Sequence, residues 1–257
     1  MKPVVLVVLL VAVSAQVNLE RMTPAVPGDL PWFALISAPP SAAFGGAILS
    51  SRYVVTAAQN VAGLDPVTLQ LKTYVLAGFT TANDTSSVQN ITIESIVIHE
   101  GFTSNLENNI AVLKLSSDIT FNNVIKPIQV KSDDGGLIST SVLTATGHDS
   151  LGGQYGLGYA AVSHANQDYC RDVYQKFTHG HFKITDKVFC VRSADEPLTF
   201  SDMGCPLYGK VGEEKSLTGL LSMVLTKNLL ETPAAYTRVA PYCDFINSAS
   251  DGIVSCV

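Results

Sequence analysis

Short aliphatic stretches of strand length, separated by turn-forming residues, constrain the fold of this chain most strongly. Residues 91–97 and 110–115 alternate or run apolar over such lengths. Gly, Asn and Asp residues separate stretches of this kind at positions 78, 83–84, 133–136 and 152–153. The pattern favours an all-β sandwich or barrel over βαβ units. Helical character is predicted only near the end, over residues 241–250. A chain of 257 residues with 47% hydrophobic residues suits one large all-β unit or two small domains.

The first 15 residues have the pattern of a secretory signal peptide. Lys2 precedes an apolar run over residues 4–13, and small residues end the segment at Ala15. The apolar run is too short to remain as a membrane span, so we expect cleavage before Gln16 and a secreted, extracellular product. No other segment has the length and polarity of a transmembrane helix.

Glycosylation sequons and cysteines fit the same compartment. Asn83 and Asn90 each begin an Asn-X-Thr sequon and are candidate glycan sites. The five cysteines fit an oxidising environment. A bond between Cys243 and Cys256 would join the final helix to the tail and contribute about 3 kcal/mol.

Net charge and histidine spacing exclude several classes of ligand. A net charge of -6 and a pI near 5.3 oppose binding to nucleic acids or anionic membranes. His179 and His181 lack carboxylate or thiolate neighbours at ligand spacing, so we expect an exposed loop there. We therefore predict no metal and no cofactor.

Several short segments occur in the order found in one protein family. They are Pro31-Trp32, Gly45 to Leu49, Val55 to Asn60, Asn108 to Leu115, Phe189-Cys190, Phe200 to Leu207 and Tyr236 to Val239. Together they resemble the chymotrypsin-like (trypsin-like) serine peptidases over almost the whole mature chain. The resemblance implies two six-stranded antiparallel Greek-key barrels and a C-terminal helix. The first barrel would span about residues 16–130 and the second about 140–257, with the seam in residues 131–139.

The same resemblance places three substituted residues at the catalytic positions. Gln59 replaces the general-base histidine, Asn109 the orienting aspartate and Met203 the nucleophilic serine. A carboxamide cannot cycle a proton near neutral pH, and a thioether cannot attack a carbonyl. We therefore predict that the chain is not an active peptidase.

A displaced nucleophile is the alternative source of catalysis. Ser201 and Cys205 flank Met203, but each would need a base, and the matched position offers only Gln59. Ser201 also stands where the family has an oxyanion-hole glycine, whose backbone freedom serine lacks.

Substrate binding and activation also differ from the family pattern. Pro197, Ser222 and Val224 occupy specificity-pocket positions, without an acidic floor and with valine in place of a wall glycine, so we expect a narrowed or closed pocket. Asn18 precedes the expected activation cut, so Asp202 has no evident ammonium partner. We expect a zymogen-like, partly mobile loop around Asp202.

The resemblance also bears on the cysteines. Cys170 and Cys190 match a bond of the second barrel, whereas both partners of two other family bonds are missing. Cys205 is left over, either free or available for an intermolecular bond.

These features lead to three functional hypotheses. The first is a secreted, catalytically inactive serine protease homologue of the kind found in arthropods. It would act by binding proteins, namely proteases, protease inhibitors or components of immune cascades. The second is a secreted endopeptidase with residual or unconventional activity. The third is a bulk secreted protein without a specific partner. The sequence does not fix an oligomeric state.

Overall fold

The computed structural model describes residues 22–38, 42–65, 72–83, 85–140, 142–151, 154–192, 203–225 and 232–257. Fourteen strands lie in these ranges: β1 Thr23–Pro24, β2 Phe33–Ala38, β3 Ala42–Ile48, β4 Tyr53–Thr56, β5 Tyr74–Ala77, β6 Gln89–Ile98, β7 Ala111–Leu115, β8 Gln129–Val130, β9 Leu143–Leu151, β10 Gln154–His164, β11 Val188–Arg192, β12 Pro206–Val211, β13 Glu214–Met223 and β14 Ala234–Arg238. The same ranges contain α1 Gly135–Thr140, α2 Gln167–Phe177 and α3 Cys243–Ala249, with 3-10 turns at Ala58–Asn60 and Ala240–Tyr242. Within the described ranges no helix has the length and apolar composition needed to cross a membrane.

Six strands close the first barrel in the order β2, β3, β4, β7, β6 and β5, with β5 pairing back to β2. Every pairing in this barrel is antiparallel. Ile91 and Ile93 of β6 are buried, whereas Asn90, the residue before Ile91, is exposed. This alternation follows from the two-residue period of a strand. The interior is filled by aliphatic side chains such as Ile36, Val54 and Leu113.

The second barrel closes in the order β9, β10, β11, β14, β13 and β12, with β12 pairing back to β9. The short β1 adds to β10, and β8 pairs in parallel with β13. The prediction of two six-stranded antiparallel barrels with a C-terminal helix is therefore confirmed.

Helix α2 was not anticipated, since helical character was predicted only over residues 241–250. Asn166 caps its first turn, because its Oδ1 accepts a hydrogen bond from the Tyr169 N–H at 2.9 Å. Cys170 and Tyr174 lie four residues apart and are both fully buried. The capping asparagine marks the start of a helix, and the buried pair four residues apart marks its buried face, so the sequence contained both signals.

Two disulfides link helices to other segments of the chain. Cys170 bonds to Cys190 and so joins α2 to β11, and Cys243 bonds to Cys256 and joins α3 to the C-terminal tail. Cys205 is a free, buried thiol.

A second buried hydrophobic cluster spans both barrels. Phe33, Leu35 and Val112 of the first barrel belong to the same buried cluster as Leu143 and Leu220 of the second. Trp32 also packs edge-to-face on Tyr208, with ring centroids 4.9 Å apart. This shared core fixes the junction at which the candidate site lies.

Candidate functional site

Gln59 and Asn109 form a reciprocal pair at the junction of the barrels. Gln59 lies in the 3-10 turn after β4, and Asn109 lies two residues before β7, which pairs with β4. The backbone N–H of Gln59 donates to Asn109 Oδ1 at 2.9 Å, and Asn109 Nδ2 donates to Gln59 Oε1 at 2.9 Å. The strand pairing thus brings together two carboxamides 50 residues apart in the chain.

Ser222 of β13 links this pair to the second barrel. Asn109 Nδ2 also donates to Ser222 Oγ, and Gln59 Nε2 donates to the Ser222 carbonyl oxygen, both at 3.3 Å. Ser222 Oγ lies 2.5 Å from Thr237 Oγ1 of β14. Asn109, Ser222 and Thr237 are all buried. The network consists of amides and hydroxyls, which neither take up nor release protons near neutral pH.

Met203 lies beside the turn that carries Gln59. Its carbonyl oxygen accepts hydrogen bonds from the Gly45 N–H at 3.1 Å and from Asn60 Nδ2 at 2.9 Å. Its side chain is half-buried and packs against the shared core. The structure therefore brings Met203, which the sequence predicts at the serine position, close to the turn of Gln59.

Two glycines allow the segment that contains Met203 to pack closely against the first barrel. Gly204 adopts a left-handed φ of +82°, and a Cβ there would lie 2.5 Å from the Gly45 carbonyl oxygen. A Cβ on Gly45 would lie 2.5 Å from Cys205 Sγ. Neither position can carry a side chain without displacing the backbone of the other segment.

Cys205 lies next to this contact but is enclosed by protein. Its side chain is fully buried, and burial raises the pKa of the thiol well above its ordinary value. Burial also lowers the pKa of the nearby His148 in β9 to about 3. A protonated thiol lacks the thiolate character that nucleophilic attack requires.

The remaining predicted positions divide into two groups. Pro197, Ser201 and Asp202 lie outside the described residues, as do the signal segment and Asn18. Val224 is half-buried just after β13, and Asn83 and Asn90 are exposed.

A bridge between the barrels, which the sequence analysis missed, holds the loop before Asn109. Lys187 Nζ donates to Asn108 Oδ1 at 3.0 Å, and the Tyr242 hydroxyl donates to the same oxygen at 3.4 Å. Leu106 of this loop packs against the apolar cluster around α2, and Met223 packs against the same cluster. Asn108 and Leu106 both have positive φ, at 49° and 62°. Asparagine tolerates that conformation, whereas leucine rarely adopts it, so tertiary contacts hold the loop in place.

Two closed antiparallel barrels that meet at a polar cluster contributed by both define the chymotrypsin-like class of fold. The chain belongs to the trypsin family, since the family model described as Trypsin matches residues 21–246.

Curated relatives from arthropods agree with this assignment. The chain is 29% identical over 212 residues to Trypsin-1 of Astacus astacus, covering 79% of this chain and 86% of the relative. It is 30% identical over 216 residues to Trypsin, alkaline C of Manduca sexta, covering 81% and 79%. It is also 29% identical over 248 residues to CLIP domain-containing serine protease B10 of Anopheles gambiae, covering 85% and 66%.

Proposed function

We propose that this protein is a secreted, non-catalytic member of the trypsin family that acts by binding other proteins. The observation that carries the proposal is the reciprocal pair of Gln59 and Asn109 at the barrel junction. A serine protease needs a base there that accepts the serine proton and returns it to the leaving group. An amide bonded to another amide offers no such base.

The nucleophile position supports the same proposal. Met203 presents a thioether, and its main chain is held by Gly45 and Asn60. The neighbouring Cys205 is a poor substitute, because it is fully buried and burial raises the pKa of its thiol. These facts weigh against residual peptidase activity.

A binding role is supported by what the chain retains. The chain keeps both barrels, two disulfides and the tight contact between Gly45 and Gly204. The leader-like residues 1–15 and the disulfides support secretion. We propose proteases, protease inhibitors or other components of proteolytic cascades as partners. Similarity to arthropod serine proteases, one of them named for a CLIP domain, makes this class of partner the natural one to test.

A turnover assay tests the loss of catalysis. We expect the purified mature chain to release no product from a panel of peptide and ester substrates above the rate of a heat-denatured sample. Variants Cys205→Ala and Ser201→Ala should leave this background unchanged. Measurable turnover that disappears in either variant would contradict the proposal and identify the displaced nucleophile.

Binding measurements separate the proposed role from that of a bulk secreted protein. Surface-immobilised mature chain is exposed to purified trypsin-like proteases and to serpin and Kunitz-type inhibitors. We expect saturable binding of at least one of them with micromolar or tighter affinity. Linear, non-saturating signals across the whole panel would support the bulk-protein hypothesis instead.

A further inference from the structure

A small pocket lies on the second barrel, between the end of α2 and the segment that follows it. Its volume is about 320 Å³. Its lining includes Phe182 and Ile184 together with Arg171 and Lys183. Both cationic residues are exposed, whereas Phe182 and Ile184 are buried. The pocket therefore combines an apolar base with two cationic groups at the rim.

Hydrogen bonds within the segment hold the pocket in shape. The Gly180 N–H donates to the Gln175 carbonyl oxygen at 3.0 Å, and the His181 N–H donates to that of Thr178 at 3.0 Å. The Phe182 N–H donates to Thr178 Oγ1 at 3.1 Å. The disulfide of Cys170 further fixes α2 to β11. A ligand would meet a preformed pocket, which lowers the entropic cost of binding.

The charged residues that line the pocket are both cationic. The lining contains Arg171 and Lys183 but no Asp or Glu, although the chain carries a net charge of -6. Asp168 accepts a hydrogen bond from Arg171 Nη1 at 2.6 Å. Asp172 and Asp186 are the next carboxylates along the chain. Lys183 makes no ion pair with any described residue, and Arg171 pairs with Asp168 through one terminal nitrogen. Both cations can therefore form ion pairs with an acidic ligand.

We propose that this pocket binds an acidic segment of a partner protein. Carboxylates of the segment pair with Arg171 and Lys183, and an apolar side chain between them enters the pocket over Phe182 and Ile184. Guanidinium and ammonium groups make strong, charge-assisted hydrogen bonds to carboxylates. The methylene groups of the Arg and Lys side chains can at the same time contact an apolar side chain of the ligand. The volume admits a side chain of leucine or phenylalanine size. The apolar base favours a peptide over a sulfated glycan, which has no apolar group to place there. This inference rests on the proposed binding role and specifies the chemistry of the partner.

Binding of defined peptides tests the pocket. The probe is a short fluorescein-labelled peptide with Glu-Leu-Asp at its centre and Gly-Ser flanks, titrated with the mature chain at low salt by anisotropy. We expect saturable binding. Peptides with Gln-Leu-Asn or Glu-Gly-Asp at the centre should bind roughly tenfold more weakly, because each lacks one half of the recognition.

Matched variants locate the binding on the protein. We expect Arg171→Glu/Lys183→Glu to weaken binding of the Glu-Leu-Asp peptide by about tenfold or more. The control Lys126→Glu/Lys210→Glu changes net charge equally at two exposed lysines outside the pocket and should retain the affinity. Because Glu beside Asp168 can weaken α2, the milder Arg171→Gln/Lys183→Gln variant is measured too, with its urea midpoint, and should lose at least about threefold in affinity.

Three results would overturn the pocket proposal: no binding of the acidic peptide, equal losses in the pocket and control variants, or equal binding of the three peptides. The proposal would also be overturned if a heparin-type oligosaccharide bound more tightly than the Glu-Leu-Asp peptide and the Glu-Gly-Asp peptide bound with the same affinity as Glu-Leu-Asp. That result would identify the patch as a binding site for polyanions. Mass spectrometry of the recovered peptide distinguishes failure of the non-catalytic proposal from failure of the pocket proposal. Cleavage would contradict the non-catalytic role alone, whereas loss of binding without cleavage would contradict the pocket alone.

Discussion

Gly204→Ala should destabilise the protein by about 2–5 kcal/mol or prevent folding altogether. Two effects add at this position. The φ of +82° is unfavourable for a residue with a Cβ, and that Cβ would lie 2.5 Å from the Gly45 carbonyl oxygen and from Thr56 Oγ1. The main chain cannot retreat easily, since the Gly204 N–H donates to the Leu221 carbonyl oxygen at 2.7 Å. Urea unfolding followed by tryptophan fluorescence gives the change in free energy.

Gly212→Ala is the matched control. Gly212 also has a positive φ, at +61°, but a Cβ there would meet nothing within 4 Å. This variant pays for the backbone conformation only and should lose about 1 kcal/mol. Equal losses in the two variants would contradict the close approach of the Met203 segment to β3.

Acidification from pH 6.5 to pH 4.5 should lower the free energy of unfolding by about 2 kcal/mol through His148 alone. Burial lowers the pKa of His148 to about 3 in the folded protein, whereas its ordinary value is 6.5. The unfolded chain therefore binds more protons than the native state between these two values. Stability must rise with pH across this window and fall as the pH drops below 6.5. Burial also lowers the pKa of His99 and His164, which adds to the slope in the same direction.

Urea titrations of wild type and His148→Phe across this pH range isolate the contribution. The variant should have a clearly shallower dependence of stability on pH, whatever its absolute stability. The same substitution at the exposed His181 is the matched control for replacing an imidazole by a phenyl ring. A His148→Phe variant with an undiminished slope would show that this imidazole is not buried as a neutral group.

The fold could be predicted because its signals are local. Gly45 and Gly46 reflect a backbone contact that only glycine permits, and the alternating apolar residues of β6 reflect a strand with one buried face. Each constraint restricts the residue type at its own position, so the sequence shows it. The signals of α2 were equally local, at Asn166, Cys170 and Tyr174, and the prediction simply missed them.

The candidate site could be predicted only in part. Family resemblance put Gln59 and Asn109 at facing positions, and the structure brings them into contact. The bridge from Lys187 to Asn108 spans 79 residues of sequence, and no local pattern marks either residue. The pocket at Arg171 likewise arises where α2 meets residues 180–185, since its shape depends on how a helix and a turn pack.

Labelling with a fluorophosphonate, read by intact mass, tests the non-catalytic assignment most directly. This reagent forms a stable adduct with a serine that a working base activates, and a catalytically active trypsin treated in parallel serves as the positive control. We predict that the mature chain keeps its unmodified mass while the control is labelled to completion. An adduct on this chain at one residue per molecule, mapped to Ser201 or another hydroxyl of the cleft, would contradict the assignment.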